Sequence, residues 1–415
     1  MDMIIRREQY LKAIEKAITK IPIVILIGCR QVGKTTLLKT YRTNKNILFL
    51  NGQDTEVAEL FMKFSTIENY LVMKLGNQLD ACLQIDEFQF IHGISTMLKL
   101  LTDKYPKLKI ICTGSSSLDI LKNVNESLSG RLRVIEVFSL SFEEYLQFNI
   151  PDLHQQYLKY SEHTEDIIID KKIHIKLNEY LTFGGFPRIS FENEEKEKIE
   201  LLDDIFKTYL LRDVRNFIKN EDFIGFNKLI RLLAAQIGNL VNFNELSRSS
   251  GLTYRKCEEY VSLLEQMYII KMIEPLENNK RNAIKKMKKI YFSDLGLRNI
   301  IYGSFHSIET RTDKGALFEN YILLELLRNI GKSAYINFFR TTDGTEVDFI
   351  INTLKEIIAV EVKYKTFEKP LMLKSLSTFI KNNKVDRAYI FNKNYNQVFN
   401  NINYIQAYFP GKITF

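Results

Sequence analysis

Chemistry first concentrates in the run "ILIGCRQVGKTTLLKTY", Ile25 to Tyr41. Gly28-Cys29-Arg30-Gln31-Val32-Gly33-Lys34-Thr35 matches the spacing G-x-x-x-x-G-K-[ST], with Thr36 following. Gly28 and Gly33 permit backbone angles and close approach that a side chain would block. The N–H groups of this loop, including those of Arg30, Gln31 and Val32, then form an anion cradle with the N-terminus of the next helix. Lys34 sets a point charge on the β- and γ-phosphates of a nucleotide, and the Thr35 hydroxyl is placed to ligate Mg²⁺. ATP and Mg²⁺ are the expected cofactors.

Such a site needs a carboxylate on a neighbouring strand. "ACLQIDEFQF" supplies Asp86 as the Mg²⁺ partner, directly or through water, and Glu87 to orient and polarise the attacking water. A third apolar run, "KLKIICTGSSS", ends in a polar tip at Thr113-Gly114-Ser115.

A second group of chemistry-bearing residues closes the chain. Glu319 sits in "GALFENYILLELLRN", Glu346 and Asp348 in "EVDF", and Glu361 and Lys363 in "AVEVKYK". Strand alternation puts Glu361 and Lys363 on one face. Asp348 precedes Glu361 by thirteen residues, which suits adjacent antiparallel strands.

The elements that must position these groups follow from pattern. "IPIVILIG" is a continuous β-rich apolar run of the kind buried on both faces of a parallel sheet, and a helix follows the loop. Residues 150–175 are charged and polar without strong period and read as a variable insertion or linker. Gly184-Gly185-Phe186-Pro187 punctuates the end of a helix. From about 226 the spacing is that of helix-turn-helix. A first helix spans 226–238, Phe243 to Ser249 forms a second, and Ser250-Gly251-Leu252 makes the turn. Thr253 caps a longer helix with Val261, Leu264 and Tyr268 on one face. "YIIKMIEP" and "KKIYFSD" read as two wing strands around a basic segment. DNA binding there would use Tyr254, Arg255 and Lys256 in the groove and Lys280, Arg281, Lys285 and Lys286 on phosphates. The alternative is packing or a protein partner, which Glu258 and Glu259 at the helix start favour.

Composition bounds the rest. The chain has 415 residues, 45% hydrophobic, which is apolar enough to bury several cores. Its net charge of +8 suits a polyanionic partner. No apolar run approaches the roughly 20 residues that span a bilayer, no signal peptide is read at Met1, and the four cysteines lie far apart. These features predict a cytoplasmic protein with no membrane partner.

The strand ends "IDE" and "TGS", with the downstream "LSGRLRVIEVFSLSFEEYL", resemble AAA-type ATPases, and in particular a prokaryotic family with a winged helix and a C-terminal PD-(D/E)xK nuclease-like domain. The resemblance covers essentially the whole chain, although Ser139 stands where the family often has proline. It implies Ser115 as sensor 1, with Thr113 the other option. It implies Arg131 as an arginine finger, with Arg133 as rival, acting on its own site or on a neighbour's in a homo-oligomer. "GGFP" resembles a lid element, which puts Gly185 and Pro187 near the phosphates, with Arg212 or Arg215 facing nucleotide. Asp348 and Glu361 would bind Mg²⁺ or Mn²⁺, Lys363 would stabilise the attacking hydroxide, and Glu319 would assist, with Glu346 an extra ligand. The fold expected is α/β: an AAA core over 1–150, linker and helical lid over 151–225, winged helix over 226–305 and nuclease-like domain over 306–415. The expected function is ATP hydrolysis coupled to movement of the last two domains on DNA. The alternatives are a nucleotide-operated switch that binds a protein partner without cleavage, and an ATP-gated metal-dependent nuclease.

Overall fold

The computed structural model describes residues 6–114, 128, 130–163, 167–215, 217–277, 287–331, 334–341 and 343–413. The chain forms two compact units, one of residues 1–139 with 266–268, the other of 140–265 with 269–415.

The first unit is built on five parallel strands: β1 (Ile23–Ile27), β2 (Asn46–Asn51), β3 (Ala81–Asp86), β4 (Lys109–Gly114) and β5 (Leu132–Glu136). Their order is β2-β3-β4-β1-β5, so β4 lies between the strand before the phosphate loop and the strand that ends in Asp86. All residues of β1 and β3 are buried, as two-sided cover by helices requires. Ile23, Ile25, Leu83, Ile85, Ile110 and Cys112 form the centre of the core. The carboxyl ends of β1, β3 and β4 lie side by side, and the candidate residues of this unit follow from them.

The second unit opens with helices. The segment read as a linker folds into helices Pro151–His163 and Ile167–Phe183. Pro151 at the helix start and Leu153 and Tyr157 on one buried face explain the outcome, because eight polar residues among the thirteen of the first helix hid a narrow apolar stripe. Helices Phe223–Ala235, Phe243–Ser250 and Tyr254–Gln266 follow, then an antiparallel ribbon of β6 (Ile270–Ile273) and β7 (Lys289–Phe292). The expected helical face through Tyr268 is corrected. The helix ends at Gln266, Tyr268 takes a left-handed φ of 58°, and its ring joins the core of the first unit.

The chain closes on a mixed six-stranded sheet of order β12-β13-β11-β10-β9-β8. Its strands are β8 (Tyr335–Arg340), β9 (Glu346–Asn352), β10 (Ile357–Val362), β11 (Arg387–Asn392), β12 (Gln397–Phe399) and β13 (Ile402–Gln406). β9 and β10 are antiparallel, with Val360 opposite Phe349, and β10 and β11 are parallel. Val347, Ile350, Ala359, Ile390 and Phe379 are among the residues of its core.

Candidate functional sites

The phosphate loop leaves β1 through Gly28, which has φ +146°. A Cβ there would stand 2.2 Å from the carbonyl oxygen of Val137, so only glycine fits between the loop and the chain leaving β5. Gln31 and Gly33 also take positive φ, which curls the loop before helix Lys34–Thr40 begins. Lys34 lies inside this arch, where Nζ donates to the carbonyls of Gly28 at 2.9 Å and Cys29 at 2.8 Å. Burial lowers its pKa, with Glu87 the largest opposing charge. Arg7, buried, ties the far side of the loop to the end of β5: its guanidinium donates to Val32 O at 3.3 Å and Phe138 O at 2.7 Å.

Thr35 Oγ1 donates to Asp86 Oδ1 at 3.0 Å. Thr113 Oγ1 donates to the same carboxylate oxygen and accepts the N–H of Glu87 at 3.1 Å. Glu87 has φ 49°, uncommon for a non-glycine residue, and this turns its side chain off the strand axis just past Asp86. Gly52, at the end of β2, donates its N–H to Asp86 O at 2.8 Å and leaves no room for a Cβ against Glu87 O. A hydroxyl and a carboxylate meeting beside the phosphate loop supply the oxygens Mg²⁺ needs, and Lys34 supplies the charge a polyphosphate needs, so these residues fit Mg·ATP.

The second constellation lies between β9, β10 and helix Lys314–Asn329. Asp348 Oδ2 accepts the backbone N–H of Val362 at 2.7 Å. Lys363 Nζ reaches Glu361 Oε1 at 2.7 Å and Asp348 Oδ2 at 3.8 Å. A cavity of about 490 Å³ is lined by Glu346, Asp348, Glu361, Lys363 and Lys374, among others. Glu361 is 3% exposed and its Oε2 is buried without a hydrogen-bond partner. Burial, then the charge of Asp348, raises the pKa of Glu361 to about 8, against the pull of Lys363.

Glu319 and Glu346 are held differently. Lys289, the first residue of β7, is 1% exposed, and its ammonium reaches Glu319 Oε1 at 3.0 Å and Glu346 Oε1 at 2.5 Å. Tyr291 OH also donates to Glu319 Oε1, and Arg340 pairs with Glu346 Oε2 at 3.1 Å. Burial and the charge of Asp348 raise Glu319 to about 7, with Lys289 opposing. The open Oε2 of Glu361 beside Asp348 fits one divalent cation. Glu319 and Glu346 do not fit as further ligands while Lys289 sits between them. Among the described residues, no three His, Cys, Asp or Glu side chains converge as a metal cluster.

Comparison with known proteins covers both regions of the chain. Residues 20–146 match a family model described as AAA domain, and residues 314–408 match one described as a domain of unknown function (DUF4143). The chain carries an AAA-type P-loop ATPase domain. Residues 174–307 match a further domain of unknown function (DUF8612). An uncharacterized protein of Haemophilus influenzae is 26% identical over 382 residues, 87% of each chain. One of Methanocaldococcus jannaschii is 28% identical over 378 residues, 88% of this chain and 80% of its own. A solved structure, the Walker-type ATPase of Pyrococcus abyssi, aligns with TM-score 0.47 at 16% identity, over 72% of this chain and 96% of that one.

The ATPase domain brings Lys34, Thr35, Asp86 and Glu87 together. Ser115 lies outside the described residues, while its rival Thr113 is on Asp86. Arg131 is corrected as a finger for its own site. Its carbonyl accepts the N–H of Ile23 at the amino end of β1, and Nε pairs with Asp103 at 2.9 Å. The phosphate loop begins at the other end of that strand, roughly 13 Å away at 3.3 Å per residue. Arg133 sits beside Val24, still in the amino half of the sheet.

In the second unit, Pro187 opens helix Pro187–Ser190, and Gly185 is pinned by its N–H to Asp294 Oδ2 at 2.9 Å and by its carbonyl to the N–H of Leu140. The side chain of Arg212 lies outside the described residues, as do Lys280, Arg281, Lys285 and Lys286. The guanidinium of Arg215 stacks on Phe223. Of the groove candidates, Arg255 pairs with Glu259 at 2.9 Å and Lys256 with Asp222 at 2.6 Å, while Tyr254 is exposed. Gly52, Arg7 and Lys289 were missed from sequence. Only Lys289 left a signal, as a lysine heading an otherwise apolar strand, "KIYF".

Among the described residues, no helix is long and apolar enough to cross a membrane.

Proposed function

We propose that the chain binds and hydrolyses Mg·ATP in the ATPase domain and uses the cycle to reorient a winged helix, residues 226–305, and a nuclease-like domain that work on DNA. The observation that carries the reading is the relay from Thr35 through Asp86 and Thr113 to the backbone of Glu87. Mg²⁺, when bound at Thr35 and Asp86, would supply charge neutralisation for the β- and γ-phosphates. Lys34 and the loop N–H groups would hold those phosphates, and Glu87 would orient and deprotonate the attacking water. Thr113, tied to Asp86 and Glu87 together, would sense whether a γ-phosphate is present.

The test is steady-state phosphate release by the full-length protein. Glu87→Gln should lower turnover about 100-fold without weakening ATP affinity. Equal turnover in the two proteins would remove Glu87 from the reaction.

A second reading, a nucleotide-operated switch that cuts nothing, draws support from Lys289. With Glu319 and Glu346 neutralised by an internal ammonium, the acidic cleft lacks the ligands a two-ion nuclease uses. The ion pairs of Arg255 and Lys256 likewise reduce the positive charge that the helix Tyr254–Gln266 offers a phosphate backbone. Loss of DNA affinity with added salt would separate the two readings.

A further inference from the structure

Four carboxylates share one cleft of the second unit, and two lysines, Lys363 and Lys289, divide them into two halves. Lys363 serves Glu361 and Asp348, at the edge that opens to the 490 Å³ cavity. Lys289 serves Glu319 and Glu346 from the buried side, and Glu346 also lines that cavity. It comes from β7, an element outside the sheet and helix that carry the acids. Its backbone is held by a bridge to Leu240, while Val241 N–H donates to Lys288 O at 2.8 Å. Its stem passes Phe338, whose ring lies 5.6 Å from the ammonium.

Two carboxylate oxygens at 2.5 and 3.0 Å from one nitrogen surround a point where a hard divalent cation would take the same oxygens at about 2.0–2.6 Å. Arg340 holds the outer oxygen of Glu346, and Tyr291 donates to the same Glu319 oxygen that meets Lys289, so both carboxylates are held in place. The half-site is therefore shaped for a cation, and the chain supplies one from its own strand.

We propose that Lys289 is a built-in counter-cation that occupies the Glu319–Glu346 half of the cleft, so that this half takes a divalent ion only when the lysine is absent or withdrawn. Divalent ions then have one seat in the protein as folded, at Asp348 and Glu361. The inference rests on the cleft alone and stands or falls independently of ATP hydrolysis.

The probe is Mn²⁺, titrated into nucleotide-free full-length protein and followed by electron paramagnetic resonance and by melting temperature. For the unaltered chain, Glu361→Gln should abolish Mn²⁺ binding in the cleft, and Glu319→Gln should leave it within about twofold. Lys289→Met should bind one additional Mn²⁺, and its melting temperature should rise by several degrees as Mn²⁺ is added. The triple variant Lys289→Met/Glu319→Gln/Glu346→Gln should lose that extra ion. If Lys289→Met folds only when Mn²⁺ is present, the metal is replacing the ammonium and the inference holds. Three results would overturn it: Glu319→Gln weakening Mn²⁺ binding of the unaltered chain, a folded Lys289→Met with unchanged stoichiometry, or a Lys289→Met that Mn²⁺ cannot rescue.

Discussion

Thr35 and Asp86 are fifty-one residues apart in sequence, and their side chains meet at 3.0 Å, hydroxyl to carboxylate. The contact exists because β1 and β3 run parallel with β4 between them: Asp86 ends β3, and Thr35 follows the carboxyl end of β1 through the phosphate loop. It is the point at which a metal would be shared between loop and sheet. Thr35→Val should keep metal-free ATP binding within about threefold, lose the gain in affinity that Mg²⁺ brings, and cut turnover by about 100-fold. Nucleotide titrations with and without Mg²⁺ check this, and an unaltered Mg²⁺ effect would contradict it.

Thr113 joins two residues that do different jobs, since its hydroxyl donates to Asp86 and accepts from the N–H of Glu87. Thr113→Val keeps the shape and removes both bonds. Turnover should fall roughly 10- to 100-fold with ATP affinity near that of the unaltered protein, the split expected for a residue that positions others. A drop in affinity equal to the drop in rate would instead mean that Thr113 supports the pocket as a whole.

Arg131 is tied to Asp103 at the sheet edge opposite the phosphate loop. Arg131→Ala should therefore leave per-molecule turnover unchanged at high dilution. Any loss should emerge only at protein concentrations where subunits associate, as a concentration-dependent rate. A loss at nanomolar protein, with unchanged light scattering, would contradict the geometry.

Asp313 stands just before the helix that carries Glu319, clasped by Arg311 at 2.7 Å and by Arg298. Burial alone would raise its pKa. The Arg311 hydrogen bond and the Arg298 charge outweigh this and bring it from 3.8 to about 2. The folded state thus binds this proton more weakly than the unfolded chain. The stability it contributes is fully present above pH 4 and is lost as pH falls toward 2. Asp313→Asn should cost about 3 kcal/mol at pH 7, because two buried guanidinium groups lose their counter-charge. It should also flatten the stability profile below pH 4. Urea denaturation at pH 7 and pH 3 measures both, and parallel profiles for the two proteins would contradict the assignment.

Much of this was legible in sequence where one local run carried both the element and the chemistry. The phosphate loop sat between an apolar strand and a helix, and Asp86 ended a second apolar run, so strand order alone brought them together. The thirteen-residue step from Asp348 to Glu361 correctly implied an antiparallel pair. What failed depended on distant partners. Helix Pro151–His163 buries only a narrow stripe, which local polarity masked. Arg131 has a motif's spacing but the wrong end of the strand. Lys289 follows a basic run and shows in sequence only as a lysine heading an apolar strand, and the fold of the second unit is what shows its ammonium buried among acids that lie 30 to 57 residues further on.

The most direct test of the central claim is isothermal titration of Mg·ATP into the full-length protein and its Lys34→Ala variant. The account predicts saturable binding of one nucleotide by the unaltered chain and a loss of about 100-fold or more in affinity without Lys34. Binding of equal strength in both proteins, or none in either, would contradict it.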